Sequence, residues 1–198
     1  NYYNDPIHVL NQVTYNNNPK IVIDNSSNVQ SSLIIGCKMI AITDYERKYV
    51  SLLYSSILGG GMNSLLNQTV REKKSLCYYI YTSLNGLLGV LKICAGINGK
   101  DFDKTYELIK EEMKNVQNGN FSDGLLESVK NTYYNSLIGI EDNQNSLLGS
   151  FISEIYNVSD DIEVRRKMVE NVTKEDIINF AKKMHNEKTT CFCNCAGL

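Results

Sequence analysis

Leu58–Tyr79 reads Leu-Gly-Gly-Gly-Met-Asn-Ser-Leu-Leu-Asn-Gln-Thr-Val-Arg-Glu-Lys-Lys-Ser-Leu-Cys-Tyr-Tyr, and the rest of the chain is understood from it. The stretch opens where an amphipathic helix stops, at Gly59, Gly60 and Gly61. Three successive glycines can take positive φ and can bring main chain close to an opposing element. A short helix is expected over about Met62–Lys74, with Leu65, Leu66, Thr69 and Val70 on one face. Arg71, Glu72, Lys73 and Lys74 crowd its last turns, where positive charge complements the negative end of the helix dipole. The chain then turns at Ser75 and enters a strand through Leu76-Cys77-Tyr78-Tyr79. Arg71 near a helix end and Tyr78 near a strand start can therefore point at one place. Strand alternation would send Tyr79 to the opposite face from Tyr78.

Upstream, Asn1–Pro19 is polar and rich in Asn and Tyr, and reads as a linker or an edge segment. The single domain is expected to run from residue 20 to residue 198. Lys20–Asp24 and Gln30–Ile42 read as strands around a turn at Asn25–Asn28. Thr43 with Glu46 three residues on forms a capping box, opening a helix that buries Tyr49, Val50, Leu52, Leu53, Ser56 and Ile57.

Downstream, Cys77–Leu84 and Gly89–Ile97 read as strands joined at Asn85-Gly86. Asp101 is expected to cap a helix over Phe102–Val116, and Ser122 one over Asp123–Ile140 that turns Leu125, Leu126, Val129, Tyr133 and Leu137 inward. Asn143–Tyr156 and Asp161–Glu170 read as further helices. A second capping box, Thr173 with Asp176, precedes a helix through Met184, and Thr189–Ala196 closes the chain as a strand. Strands and helices in this order predict an α+β layer: one mostly antiparallel sheet with helices packed on one face.

Composition narrows the function. A chain of 198 residues with 42% hydrophobic content holds enough material for one sizeable core. Net charge is −2 with the two signs interspersed, so neither nucleic acid nor an anionic membrane is an expected partner. No apolar run approaches the roughly 20 residues of a membrane span. The first residues look like mid-chain sequence, and the chain is expected to be a fragment of a longer polypeptide. Cys37, Cys77, Cys94, Cys191, Cys193 and Cys195 all fall in expected strands rather than in Cys-x-x-Cys knuckles. They read as small buried hydrophobes in a reducing, cytoplasmic setting.

The catalytic inventory is thin. His8 and His185 stand alone, and neither has metal-ligand spacing. No Gly-x-Ser-x-Gly elbow or phosphate loop is present. The carboxylate pairs Glu111-Glu112 and Asp160-Asp161 sit in polar settings typical of solvated faces. Taken by itself this chain is expected to be inactive.

Gly-Gly-Gly-Met-x-Ser-x-Leu followed by Val-Arg-Glu-Lys-x-x-Leu-x-Tyr resembles the non-zinc, C-terminal domain of pitrilysin-type metallopeptidases, which include insulinase and the mitochondrial processing peptidase. The resemblance covers about Val29–Cys195, and Val70–Tyr79 resembles most a bacterial subgroup whose members have lost the zinc motif. It implies the half-domain fold of that family, and a zinc site of the inverted His-x-x-Glu-His type that this chain lacks. Zinc is therefore expected in a partner: the N-terminal half-domain or a zinc-bearing paralogous subunit. No metal is expected in this chain. The resemblance also gives Arg71 and Tyr78 the role of substrate-binding donors that orient a peptide carbonyl and stabilise the oxyanion formed in hydrolysis. Gly59, Gly60 and Gly61 become either a flexible lip near the substrate chamber or a plain helix cap. The bland alternative is that Arg71 pairs with a nearby acid and Tyr78 only packs. A second reading makes the protein a non-peptidase binding or assembly subunit. Under both, extended peptide docking at a sheet edge and self-association, such as a dimer, are expected.

Overall fold

The computed structural model describes residues 21–26, 31–39, 41–86, 88–156, 158–184 and 189–196. Five strands form one sheet: β1 (Ile21–Ser26), β2 (Ser31–Lys38), β3 (Cys77–Asn85), β4 (Val90–Ile97) and β5 (Thr189–Ala196). Their spatial order is β1-β5-β2-β4-β3. β5 is antiparallel to β2 and parallel to β1, while β4 is antiparallel to both β2 and β3. The last strand thus returns to the middle of the sheet and makes a mostly antiparallel layer.

Period-two alternation sorts the sheet's two faces. Leu33, Ile35 and Cys37 of β2 and Leu91, Ile93, Ala95 and Ile97 of β4 are buried under helices. On the reverse face Ile34, Tyr79 and Tyr81 stay exposed, and Tyr81, Cys94 and Ile34 share one register row. The helical layer comprises α1 (Ser51–Gly59), α2 (Phe102–Gln117), α3 (Asp123–Glu141), α4 (Gln144–Ile155), α5 (Ile162–Glu170) and α6 (Lys174–Met184). Tyr54 of α1 meets Phe180 of α6 edge to face at 5.3 Å in the centre of this layer.

Both capping boxes form. Thr43 N–H donates to Glu46 Oε2 at 2.7 Å and Glu46 N–H returns to Thr43 Oγ1 at 3.2 Å. Lys183 Nζ adds a 2.6 Å contact to Glu46 Oε1, tying this helix start to the end of α6. Thr173 and Asp176 exchange the same pair at 2.8 and 3.2 Å. Between the first box and α1 lies a wider, π-helical turn, Glu46–Val50.

Several expectations are corrected. Asp101 precedes α2 without accepting a side-chain cap bond; Asn98 instead accepts from Lys100 N–H at 3.3 Å, one short turn earlier. Glu112 is buried rather than solvated. Asp160 is not a solvated acid either: Lys48 Nζ lies 2.6 Å from Oδ1 and the Tyr49 phenol donates to Oδ2. Its neighbour Asp161 caps α5, accepting from Glu163 and Val164 N–H at 2.9 and 3.2 Å. The reading of residues 1–19 and of His8 and His185 lies outside the described residues.

Candidate functional site

α1 ends against β3, and the glycines govern how closely. Gly59 is the last residue of α1 and is buried, and a Cβ there would stand 2.7 Å from Thr82 Cγ2 and 3.0 Å from Thr82 N. A Cβ at Gly60 would meet Ser56 Cα at 2.5 Å, whereas one at Gly61 would meet nothing within 4 Å. The close approach read from the triplet is therefore present at Gly59, but positive φ is not: among the described glycines it occurs at Gly89 and Gly119. Placing all three in a loop is corrected too, since Gly59 is helical.

Beyond the glycines the chain turns, and Ser64 donates from N–H and Oγ to Gly61 O at 3.0 and 2.5 Å. A π-helical segment follows, Asn67–Lys73, instead of an ordinary α-helix. Leu66 and Val70 are buried beneath it, and so is Asn67, whose amide donates to Ser64 Oγ at 3.2 Å and to the β3 carbonyl Ile80 O at 3.1 Å. The segment stops at Ser75, which has φ 52°. Ser75 N–H bonds Arg71 O and Leu76 N–H bonds Val70 O, each at 3.0 Å, so both closing bonds reach one residue further back than in the usual left-handed helix stop.

β3 then begins irregularly. Cys77 pairs with Ile97 and Tyr79 with the adjacent Gly96, so Tyr78 has no partner on β4. This is a β-bulge, which bends the strand and re-aims the extra side chain. Its result overturns the alternation argument: Tyr78 and Tyr79 are both solvent-exposed, at 65% and 41%, and inward packing resumes at Ile80. The rings of Tyr79 and Tyr81 lie 6.0 Å apart on the reverse face of the sheet.

Arg71 is exposed at the end of the π-helical segment, and its one ion pair among the described residues is a 3.8 Å contact with Glu72, itself half exposed. Such a contact contributes little and leaves the guanidinium available. Arg71 acts electrostatically on Cys77, the residue beside Tyr78. Burial pushes the Cys77 thiol up to about 11, while Arg71 pulls it down and Glu72 pushes it up. The Tyr78 phenol has no hydrogen-bond partner among the described residues. Asn67 and Ser64 were missed by sequence reasoning; the signal was a polar residue, Asn67, on the face that carries Leu66 and Val70.

Among the described residues no three His, Cys, Asp or Glu side chains cluster to hold a metal. Cys37 and Cys77 are buried and Cys94 is half-buried, each without a disulfide. No helix of the described residues is long and apolar enough to cross a membrane. A cavity of about 440 Å³ lies at the other end of β3, between Leu84, Tyr49, Tyr133, Asp160 and Arg165, and includes neither Arg71 nor Tyr78.

Comparison with known proteins bears on the family and the fold. The family described as "Peptidase M16 inactive domain" matches residues 4–133. A Bacillus subtilis protein named "Probable inactive metalloprotease YmfF" is 31% identical over 174 residues, covering 86% of this chain and 40% of its own length. A Streptomyces coelicolor protein named "Uncharacterized zinc protease SCO5738" is 30% identical over 57% of this chain and 25% of its own. The crystal structure of a conserved Enterococcus faecalis protein superposes with a TM-score of 0.84 at 23% identity, over 93% of this chain and 44% of that one. A Pseudomonas fluorescens structure described as a peptidase M16 inactive domain gives a TM-score of 0.75 at 19% identity, over 91% and 44%. At those identities the two structures establish the fold alone. The chain spans about two fifths of the length of the first curated relative.

Proposed function

The chain belongs to the peptidase M16 inactive-domain family, and from that premise we propose that it is the non-catalytic half of a zinc metallopeptidase, lending Arg71 and Tyr78 to a substrate site whose zinc is carried by another domain or subunit. The observation that supports this reading is that the two donors stand exposed on elements bonded to each other. Arg71 leaves an exposed helix end, Tyr78 is pushed out by a bulge, and Asn67 bonds the one element to the other at 3.1 Å. The described residues offer no ligand set for zinc, so no step of hydrolysis is assigned to a metal here.

What this chain would supply is donors. The guanidinium offers several N–H groups in a fixed plane and the phenol one O–H. Directed at the carbonyl of a bound peptide, they orient it and stabilise the negative charge that develops on its oxygen. The Gly59 approach to Thr82 and the Asn67 bond to Ile80 fasten the backbone elements that carry the two donors. Peptide hydrolysis, a peptide substrate and a reducing cytoplasmic setting belong to this proposal.

A second reading keeps the surface and removes the reaction: an assembly or binding subunit that pairs with a zinc-bearing paralogue. The relative named as an inactive metalloprotease favours it. One experiment separates the two. Zinc content and cleavage of a quenched peptide are measured on the full-length protein, alone and mixed with a zinc-bearing paralogue. Zinc-dependent cleavage that falls about 10²-fold in Arg71→Ala is expected, the loss typical of one oxyanion donor. Cleavage unchanged by Arg71→Ala and by Tyr78→Phe would overturn the donor role, and absence of cleavage in every mixture would leave the assembly reading.

A further inference from the structure

α4 wears its apolar stripe on the outside. Leu148, Phe151, Ile152, Ile155 and Tyr156 recur at the i, i+3, i+4, i+7, i+8 spacing that normally marks a buried helix face. Here they are 59, 52, 47, 75 and 64% exposed.

The polar side of the same helix is turned inward. Ser150 is buried, donates to Glu154 Oε1 at 3.2 Å, and accepts from Arg165 of α5. Glu154 is the one charged residue of α4, and it lies 3.9 Å from the Arg165 guanidinium. The helix is therefore held in this orientation by bonds to α5, and its outer face carries no charge that water would solvate. A surface helix is ordinarily built the other way round.

The patch is large. Taking about 200 Å² for each large side chain, it leaves on the order of 600 Å² of apolar surface, the upper end of what a monomer exposes. One partner in a standard interface buries about 800 Å².

We propose that this stripe is covered by the remaining part of the same polypeptide, through an uncharged apolar face of the further half that the relatives carry. The argument is length. This chain covers 40% of the B. subtilis relative and 44% of the E. faecalis structure, so more than an equal length of chain accompanies the matched part in each. A short, flexible covalent tether that spans the distance holds such a chain at an effective concentration on the order of millimolar. At that concentration a patch of this size is filled from within the molecule before a second copy reaches it. The inference rests on the reading of this chain as one half of a larger protein, and is independent of Arg71 and Tyr78.

The test uses the full-length protein with Ile155→Cys, and separately Leu148→Cys, labelled by a maleimide and read peptide by peptide in a mass spectrometer. Lys104→Cys, on the exposed side of α2, is the control. Labelling at least tenfold slower than the control, and unchanged over a hundredfold range of protein concentration, is expected for both positions. Control-like labelling at every concentration would overturn the proposal by leaving the face free. Protection that appears only at high concentration would assign the face to a second copy, and protection that needs an added subunit would assign it to that subunit; either overturns it. The readout does not depend on zinc or cleavage. Loss of cleavage in Arg71→Ala with protection intact would confine the two claims to separate surfaces.

Discussion

The side-chain amide of Asn67 donates to the main-chain carbonyl of Ile80 at 3.1 Å, and both ends of that bond are buried. It fastens the segment that carries Arg71 to the strand beginning at Cys77. Asn67→Ala leaves that carbonyl and the Ser64 hydroxyl short of a donor. A loss of about 1–3 kcal/mol is expected, read as a lower urea midpoint.

The glycine triplet should be unequal under substitution. Gly59→Ala forces a methyl group against Thr82, whose hydroxyl is held by Ser55 O at 2.8 Å, and overpacking of this kind costs about 1–3 kcal/mol. Gly61→Ala meets open space and should fall within about 0.5 kcal/mol of the parent. Thr82→Ser removes the methyl group that Gly59→Ala strikes, so the double variant should recover part of the loss in a thermodynamic cycle.

Acid should weaken the fold through two carboxylates. Burial pushes both up, but hydrogen bonds from Lys48 and Tyr49 at Asp160, and from Lys183 and Thr43 at Glu46, outweigh it and hold both below their ordinary values. A depressed folded pKa adds stability that is present above the ordinary carboxylate range, near pH ~4, and is lost as pH falls through the folded values. Urea midpoints should be level from neutral pH to about pH 5 and fall below that. Asp160→Asn combined with Glu46→Gln should start lower and decline less steeply.

Under the proposed function, two tyrosines adjacent at the bulge should differ in role. Tyr78→Phe should lower peptide cleavage by the full-length protein about tenfold or more, with little change in stability because the ring is exposed. Tyr79→Phe should leave cleavage at the parental level. Equal losses in the two variants would show that the phenol at position 78 has no special aim.

Most of the architecture was legible because local signals agreed with the global pattern. Thr43 with Glu46 and Thr173 with Asp176 are self-contained caps, and Thr189–Ala196 is bounded by its own composition. Features that depend on a distant partner were not legible. Cys-Tyr-Tyr-Ile-Tyr reads as unbroken alternation, and only pairing with Gly96 and Ile97 of β4 shows the extra residue. Asp160 looked solvated because its partners, Lys48 and Tyr49, lie 112 and 111 residues away in sequence. The helix over Asn143–Tyr156 was expected, but helical spacing of its apolar residues does not say which way they face. Arg71 and Tyr78 were singled out by motif, while Asn67, which bonds their elements together, carries a signal only once Ile80 is beside it.

The bulge has a consequence for how this surface can change over time. Because no residue of β4 pairs with Tyr78, a new side chain there disturbs neither sheet register nor the layer beneath. Position 78 is thus an evolvable site on an inherited frame. A saturation library at that codon should yield mostly folded proteins, and an unnatural fluorophore placed there would report on that surface without perturbing what supports it.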